Sequence, residues 1–325
     1  MSAKIVGLGK YLPPTILTNK DLEKIVDTSD EWITQRTGIK ERRIAQKGTG
    51  SSVFAYEASK IALKRAGVKP KDIQLIIVAT ITADMPFPSV ASLLQNKLGA
   101  KYACAFDISA ACAGFIYALT IASQFLATGF YKNALVVGSE VLSAFTDWKD
   151  RTTCVLFGDG SAAAVLVPSK KRSFLSSYLA CDGLHADLLC IPAGGSKLPA
   201  SQETVKSRLH YIKMQGNELF RLAVRAMVDA AKNAAKKANI DIANIDLFIP
   251  HQANLRIISA VAKRLNISFD KVYVNISKYG NTSAASIPIA LTEAYEEGRI
   301  KKDNLIVLDA FGGGLVWASC VIKWV

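Results

Sequence analysis

Two stretches of the chain, "AGVKPKDIQLIIVAT" at 66–80 and "ANIDIANIDLFIPHQ" at 238–252, share one pattern 172 positions apart. Each is a polar loop followed by a short unbroken apolar run, which suits a strand buried on both faces. Each follows an amphipathic helix. Ahead of the second copy, Leu219, Leu222, Met227 and Ala230 mark the apolar face and Arg221, Arg225, Lys232 and Lys236 the wet one. The register continues downstream. "YACAFDISAAC" parallels "KVYVNISKYGN" at an offset of about 168, a strand running into a small-residue turn, and "NALVVGSE" parallels "NLIVLDAF" at 171. Helix alternates with strand throughout. The repeat predicts an α/β chain of two like halves, 1–170 and 171–325, each with a mostly parallel or mixed sheet.

In α/β folds chemistry gathers at the carboxyl ends of strands, and the repeat places three capable side chains there. Cys112 follows "YACAFDIS" and opens a long helix, whose unpaired N–H groups and dipole favour a thiolate. Ala110, Ala111, Ala113 and Gly114 leave room beside it for another molecule. His251 ends the strand "DLFIP", where the first half has Ala79. Asn281, in "SKYGNTSAAS", lies with Gly280 in the turn that the repeat sets against Cys112. "DAFGGGLVWAS" puts Gly312, Gly313 and Gly314 after a buried strand, and bare N–H groups at such a turn suit an oxyanion. Each also has a plainer reading. Free cysteine is a common buried hydrophobe, a lone histidine a satisfied core imidazole, Asn after Gly a turn or N-cap residue, and a glycine run a β-bulge.

Other classes leave little trace. The six cysteines contain no C-x-x-C pair, and three histidines give no zinc-ligand spacing. "MSAKIVGLGKYLPP" lacks the pattern of a signal peptide, so the expectation is a cytoplasmic protein with reduced thiols. Residues 108–131 carry no charge, long enough to span a bilayer, but Ser109, Thr120, Ser123, Gln124 and Thr128 interrupt them and no second span exists. They read as a helix buried in the middle of a large protein. The net charge of +13 asks for an acidic partner, yet the basic residues are dispersed among acids rather than gathered in a nucleic-acid-binding stripe. The clusters "KERR" and "AKRLN" read as solvated surface. "GLGKYL" and "AGGSKL" fail as dinucleotide and phosphate loops, and there is no G-x-S-x-G.

Taken together, "DISAACAGF", "PHQANLRI", "KYGNTSAASIP" and "FGGGL" closely resemble the β-ketoacyl-acyl carrier protein synthase III family of thiolase-fold condensing enzymes. The resemblance runs from "GLGKYLP" and "DTSDEWITQRTGIKERR" to the final strand. It implies a thiolase-like fold, with duplicated βαβαβ halves packed as αβαβα layers. It implies that Cys112 takes an acyl group from coenzyme A as a thioester, and that malonyl-acyl carrier protein then decarboxylates and its carbanion attacks the acyl-cysteine. The product, a β-ketoacyl-carrier protein, initiates type II fatty acid synthesis. His251 and Asn281 would donate to the enolate oxygen, and the backbone N–H groups of Cys112 and Gly313 to the tetrahedral intermediate. No metal or redox cofactor is implied.

By the same resemblance Thr28, Trp32, Arg36 and Arg151 hold coenzyme A. Phe87 caps the acyl tunnel of the neighbouring subunit in a homodimer, and Phe220 lies beside the catalytic centre. The carrier protein is acidic, and Arg256 and Lys263, seven residues apart on the helix after "PHQAN", with Arg264, form the expected docking face. Two positions depart from the family pattern, Thr152 and Ala318, where glycine is usual. Alternatives remain at this stage: a homologue in secondary metabolism using the same cysteine on another acceptor, or a hydroxymethylglutaryl-coenzyme A synthase, whose glutamate acid–base the sequence does not place. A nucleic-acid-binding protein would leave the Cys-His-Asn set unexplained.

Overall fold

The protein is described by a computed structural model covering residues 2–325. Five strands, β1 (Ser2–Tyr11), β2 (Leu75–Ala79), β3 (Cys104–Ile108), β4 (Ala134–Glu140) and β5 (Gly160–Ser169), form one sheet in the order β1-β5-β4-β2-β3. Four more, β6 (Phe174–Cys181), β7 (Leu247–Pro250), β8 (Leu305–Gly312) and β9 (Val316–Lys323), form a second sheet in the order β7-β8-β9-β6. Taken from the other edge, β6-β9-β8-β7 matches β1-β5-β4-β2, and only β3 has no counterpart strand. In each, a parallel pair (β2 with β4, β7 with β8) is extended by antiparallel strands (β5 and β1, β9 and β6).

One expected strand is missing. "KVYVNIS", the counterpart of β3, makes a single bridge from Val272 to Phe248. The reason lies in Gln252. Its side-chain Oε1 accepts the N–H of Asn275 (2.9 Å) and of Ile276 (3.2 Å), while its Nε2 donates to the carbonyl of Tyr273 (3.2 Å). A buried amide has taken over bonds that a ladder would otherwise make.

Seven helices matter for the site: α1 (Asp30–Thr37), α2 (Ser51–Ala66), α3 (Val90–Leu98), α4 (Gly114–Ala127), α5 (Gly216–Ala238), α6 (Leu255–Arg264) and α7 (Ser286–Glu296). α2 and α3 cover the outer face of the first sheet, α5 and α6 that of the second, and α4 and α7 lie between the sheets. The result is five layers, αβαβα. The uncharged stretch at 108–131 therefore supplies the central helix. Phe115, Ile116 and Leu119 of α4 share one cluster with Ile77, Leu308 and Ile322 from both sheets. Burying each such side chain is worth about 1.5–3 kcal/mol, which explains a helix apolar on every side. No helix among the described residues is long and apolar enough to cross a membrane.

The repeat holds, with one shift in register. α4 is entered through a 3-10 turn at Ala111–Ala113, and α7 through one at Ser283–Ala285, 172 positions later (111 to 283). Each turn opens on a non-glycine residue in the left-handed region, Ala111 (φ 41°) and Ser283 (φ 48°). The counterpart of Cys112 is therefore Ala284, and the expected pairing with the Gly280–Asn281 turn is corrected. Runs of small residues in both copies blurred the register; the backbone conformation that launches the helix fixes it.

"KERR" is also corrected. Arg42 is fully buried, not solvated. Its guanidinium donates to Asn19 Oδ1 (2.8 Å), the Leu17 carbonyl (3.2 Å) and the Val155 carbonyl (2.8 Å). Burial lowers its pKa to about 10. Five fixed donors let one arginine tie the Thr15–Thr18 and Glu41–Ile44 strand pair to the loop before β5.

Candidate active site

The segment 281–286 organises the centre of the molecule. It follows Gly280, whose φ of 62° and ψ of −155° admit only glycine, and where a Cβ would lie 2.7 Å from the Leu156 carbonyl. Asn281 is then clamped by its backbone, its N–H to the Leu156 carbonyl (2.8 Å) and its carbonyl to the Gly158 N–H (3.0 Å). Its side-chain Oδ1 accepts the Ser283 N–H (2.8 Å), which leaves the Nδ2 end to donate elsewhere. Ser283 turns its hydroxyl to the thiol of Cys112, Sγ to Oγ 3.5 Å. One turn on, the Ser286 hydroxyl meets His251 Nδ1 at 2.6 Å and accepts the Gln252 N–H (3.3 Å). When the serine hydroxyl donates to Nδ1, the neutral ring carries its proton on Nε2. The His251 N–H is tied to the Asp309 carbonyl at 2.7 Å. Six consecutive residues thus connect Cys112, His251 and Asn281, all three buried.

The three side chains are buried, and the charges of Cys112 and His251 are muted. Burial drives His251 down to about 3, so the imidazole is neutral. Burial is also the main cause pushing Cys112 up to about 12; nearby Glu140 adds to it and the Ser283 hydroxyl opposes it. The resting cysteine is a thiol. Burial thus acts against the helix N-terminus, whose N–H groups favour a thiolate; Cys104 and Cys181 are the exposed cysteines.

Beside the thiol, the end of β8 comes very close. A Cβ at Gly312 would sit 2.6 Å from the Cys112 nitrogen. Neither the Cys112 nor the Gly313 N–H has another residue as hydrogen-bond acceptor among the described residues, and Gly313 directly follows the Gly312 that packs against Cys112.

The remaining candidates fall into three groups. Trp32, on α1, has the guanidinium of Arg36 5.2 Å and that of Arg151 5.5 Å from its ring centroid, and the Thr28 hydroxyl nearby in sequence is buried without a partner. Arg256 lies 5.6 Å over the ring of Phe220, joining the start of α6 to α5, with Lys263 and Arg264 exposed farther along α6. Phe87 is 84% exposed and meets no residue of its own core. Of the two departures from pattern, Ala318 is buried in β9 and Thr152 closes a turn on Asp150 through its N–H (2.9 Å) and hydroxyl (2.6 Å).

Sequence reasoning passed over Glu140. It is fully buried at the end of β4 and reaches the turn that carries Ser283. The signal was present: a carboxylate closing the otherwise uncharged strand "ALVVGSE" has to have a partner or a purpose.

Comparison with known proteins agrees with this arrangement. Family profiles described as 3-oxoacyl-[acyl-carrier-protein (ACP)] synthase III and its C-terminal part match residues 106–183 and 235–324. A relative from Caldanaerobacter subterraneus, beta-ketoacyl-[acyl-carrier-protein] synthase III, is 57% identical over 325 residues, covering 100% of this chain and 98% of its own. The crystal structure of 3-oxoacyl-[acyl-carrier-protein] synthase III from Aquifex aeolicus superposes with a TM-score of 0.92 at 50% identity, covering 99% of this chain and 100% of that one. A priming beta-ketosynthase from the R1128 polyketide biosynthetic pathway has the same TM-score, 0.92, at 34% identity, covering 99% and 96%. The chain belongs to the 3-oxoacyl-[acyl-carrier-protein] synthase III family of thiolase-fold condensing enzymes.

Proposed function

We propose that the chain condenses an acyl-coenzyme A primer with malonyl-acyl carrier protein, with loss of carbon dioxide, to start type II fatty acid synthesis. The observation that carries this reading is the 281–286 segment, which touches a thiol on one side and fixes uncharged donors on the other. A thiol beside free N–H groups suits thioester exchange, and neutral preset donors suit an enolate. In the first half-reaction the Cys112 sulfur attacks the primer carbonyl, the N–H groups of Cys112 and Gly313 receive its oxygen, and the coenzyme A thiolate leaves. In the second, the malonyl carboxylate departs as carbon dioxide, and His251 Nε2–H and Asn281 Nδ2–H receive the enolate oxygen. The enolate carbon then attacks the acyl carbonyl and expels the Cys112 thiolate. Both half-reactions balance without a metal or redox carrier.

Several finer assignments belong to the same proposal. Trp32, Arg36 and Arg151 offer a ring and two cations to the adenine and phosphates of coenzyme A, with Thr28 as a spare polar group. Arg256, Lys263 and Arg264 face the acidic carrier protein. Phe220 lines the approach beneath Arg256. The exposed Phe87 and the free edge at β3, near exposed Tyr102, suit a homodimer in which Phe87 caps the partner's acyl tunnel. Six free cysteines fit a reducing cytoplasm. Identity of 57% to a synthase III, against 34% to the polyketide ketosynthase, favours the fatty-acid reading over transfer to a secondary-metabolite acceptor. Incubating the chain with a panel of straight, branched and longer acyl-coenzyme A primers and malonyl-carrier protein tests it. Carbon dioxide release should need both thioesters; no release with any primer would contradict it.

A further inference from the structure

A resting thiol must lose its proton before its sulfur can carry an acyl group, and the neutral His251 has its Nδ1 committed to Ser286. The Cys112 thiol instead donates to the Ser283 hydroxyl at 3.5 Å, and Ser283 stands on the turn whose next residue, Ala284, directs its N–H at Glu140 Oε1, 3.4 Å away. We propose that Glu140 is a proton-holding residue, taking the thiol proton of Cys112 through the Ser283 hydroxyl when the acyl-enzyme forms and returning it when the thiolate is released.

The carboxylate is built asymmetrically for this. Its Oε2 accepts the hydroxyls of Thr82 (2.5 Å) and Thr80 (3.3 Å) and the Ile81 N–H (3.2 Å). Oε1 has only long contacts, 3.4 Å to the Ile81 and the Ala284 N–H, and so keeps capacity on the side of Ser283. Around it, β2 and the loop beyond contribute Thr80, Ile81 and Thr82, β5 contributes Gly160, and the 283–285 turn Ser283 and Ala284. Cys112 is the titratable group that interacts with it. Asp159, beside Gly160, is engaged by the Ser143 and Ala45 N–H groups, and Asp84 by Ser52. No lysine, arginine or histidine contacts Glu140 among the described residues. Burial, partly offset by Thr82 and its other donors, raises it to about 7, which is suited to gaining and losing a proton near neutrality.

The protons balance. In acylation the Cys112 sulfur bonds to the acyl carbon, the thioester bond to coenzyme A breaks, and the thiol proton passes to Glu140; the coenzyme A thiolate takes a proton from solvent. In condensation the expelled Cys112 thiolate recovers the proton from Glu140. The sum consumes one proton per carbon dioxide released, as malonyl decarboxylation requires. Glu140 is then uncharged while the enolate forms, and no buried anion opposes it.

This inference rests on the proposed condensation, and its test separates the two. Acylation is followed alone, by rapid quench and mass spectrometry with acyl-coenzyme A and no malonyl-carrier protein. For the native protein the rate should fall about tenfold per unit as pH drops below 7 and level off above it. Glu140→Gln should be about a hundredfold slower at pH 8 with that limb abolished, Ser283→Ala similarly slowed, and Glu140→Asp should restore a limb. Infrared difference spectra of the native protein should gain a protonated-carboxyl band on acylation, whether or not the variants fold. Acylation with an unchanged pH profile in Glu140→Gln, or no such band in the native protein, would overturn the role of Glu140 alone. No acyl-enzyme in the native protein would overturn the condensation as well.

Discussion

Ala111 and Ser283 hold the same left-handed conformation, open the same turn and feed the same kind of central helix, yet the next residue is Cys112 in one half and Ala284 in the other. The contrast recurs. His251, at the end of β7, matches Ala79, at the end of β2. Glu140 closes β4 where the second half places the buried Phe311, 171 positions on. Cys112, His251 and Glu140 each stand where the other half has an apolar residue, while Asn281 stands where the first half has Ser109. The two like halves bring strand-end residues together across the central layer, and the proposed mechanism divides the chemistry between them: thiol and carboxylate from the first, neutral donors from the second. The 281–286 segment is the seam, since it reaches Cys112 and Glu140 on one side and His251 on the other.

That division can be broken at several points. If the first half alone holds the nucleophile, Cys112→Ser should abolish the acyl-enzyme and lower condensation by about 10⁴-fold or more. Acyl label appearing on any of the other five cysteines would end the comparison. Next in size is the proposed nucleotide site at Trp32, which lies on the first half's side. Trp32→Ala should raise the primer KM about tenfold, from the loss of about 1–2 kcal/mol of stacking and cation–π contact, while condensation from preformed acyl-enzyme stays within about twofold. A primer KM that does not move would remove coenzyme A from Trp32. The smallest effect belongs to the second half's surface. Arg256→Glu should weaken use of malonyl-carrier protein about threefold at low salt, fading as salt rises, and spare acylation. Equal loss in both half-reactions would mean that Arg256 acts on the shared site rather than on the partner.

The halves differed in how plainly they could be read. β2 and β7 were legible because strands buried on both faces are written as unbroken apolar runs, and the central helix because an uncharged stretch has to be enclosed. Cys112, His251 and Asn281 stood out because reactive residues at strand ends are rare in a chain with three histidines. What escaped depends on contacts between distant residues. Gln252 replaces a ladder with its side chain, Arg42 finds three oxygens more than twenty residues away, and Glu140 meets the 283–285 turn only once the two halves pack. The thiol shows the same division: the helix end that favours a thiolate is local, whereas the burial that raises its pKa is tertiary.

The most direct test of a division of labour is to time the two half-reactions separately in His251→Ala and Asn281→Ala. Mass spectrometry of the protein after mixing with acyl-coenzyme A reads acylation, and labelled carbon dioxide from malonyl-carrier protein reads decarboxylation. Acylation should persist within about tenfold of the native rate, while decarboxylation falls about a hundredfold or more, the usual cost of one lost oxyanion donor. Decarboxylation at the native rate in His251→Ala, or both half-reactions falling together in both variants, would contradict it.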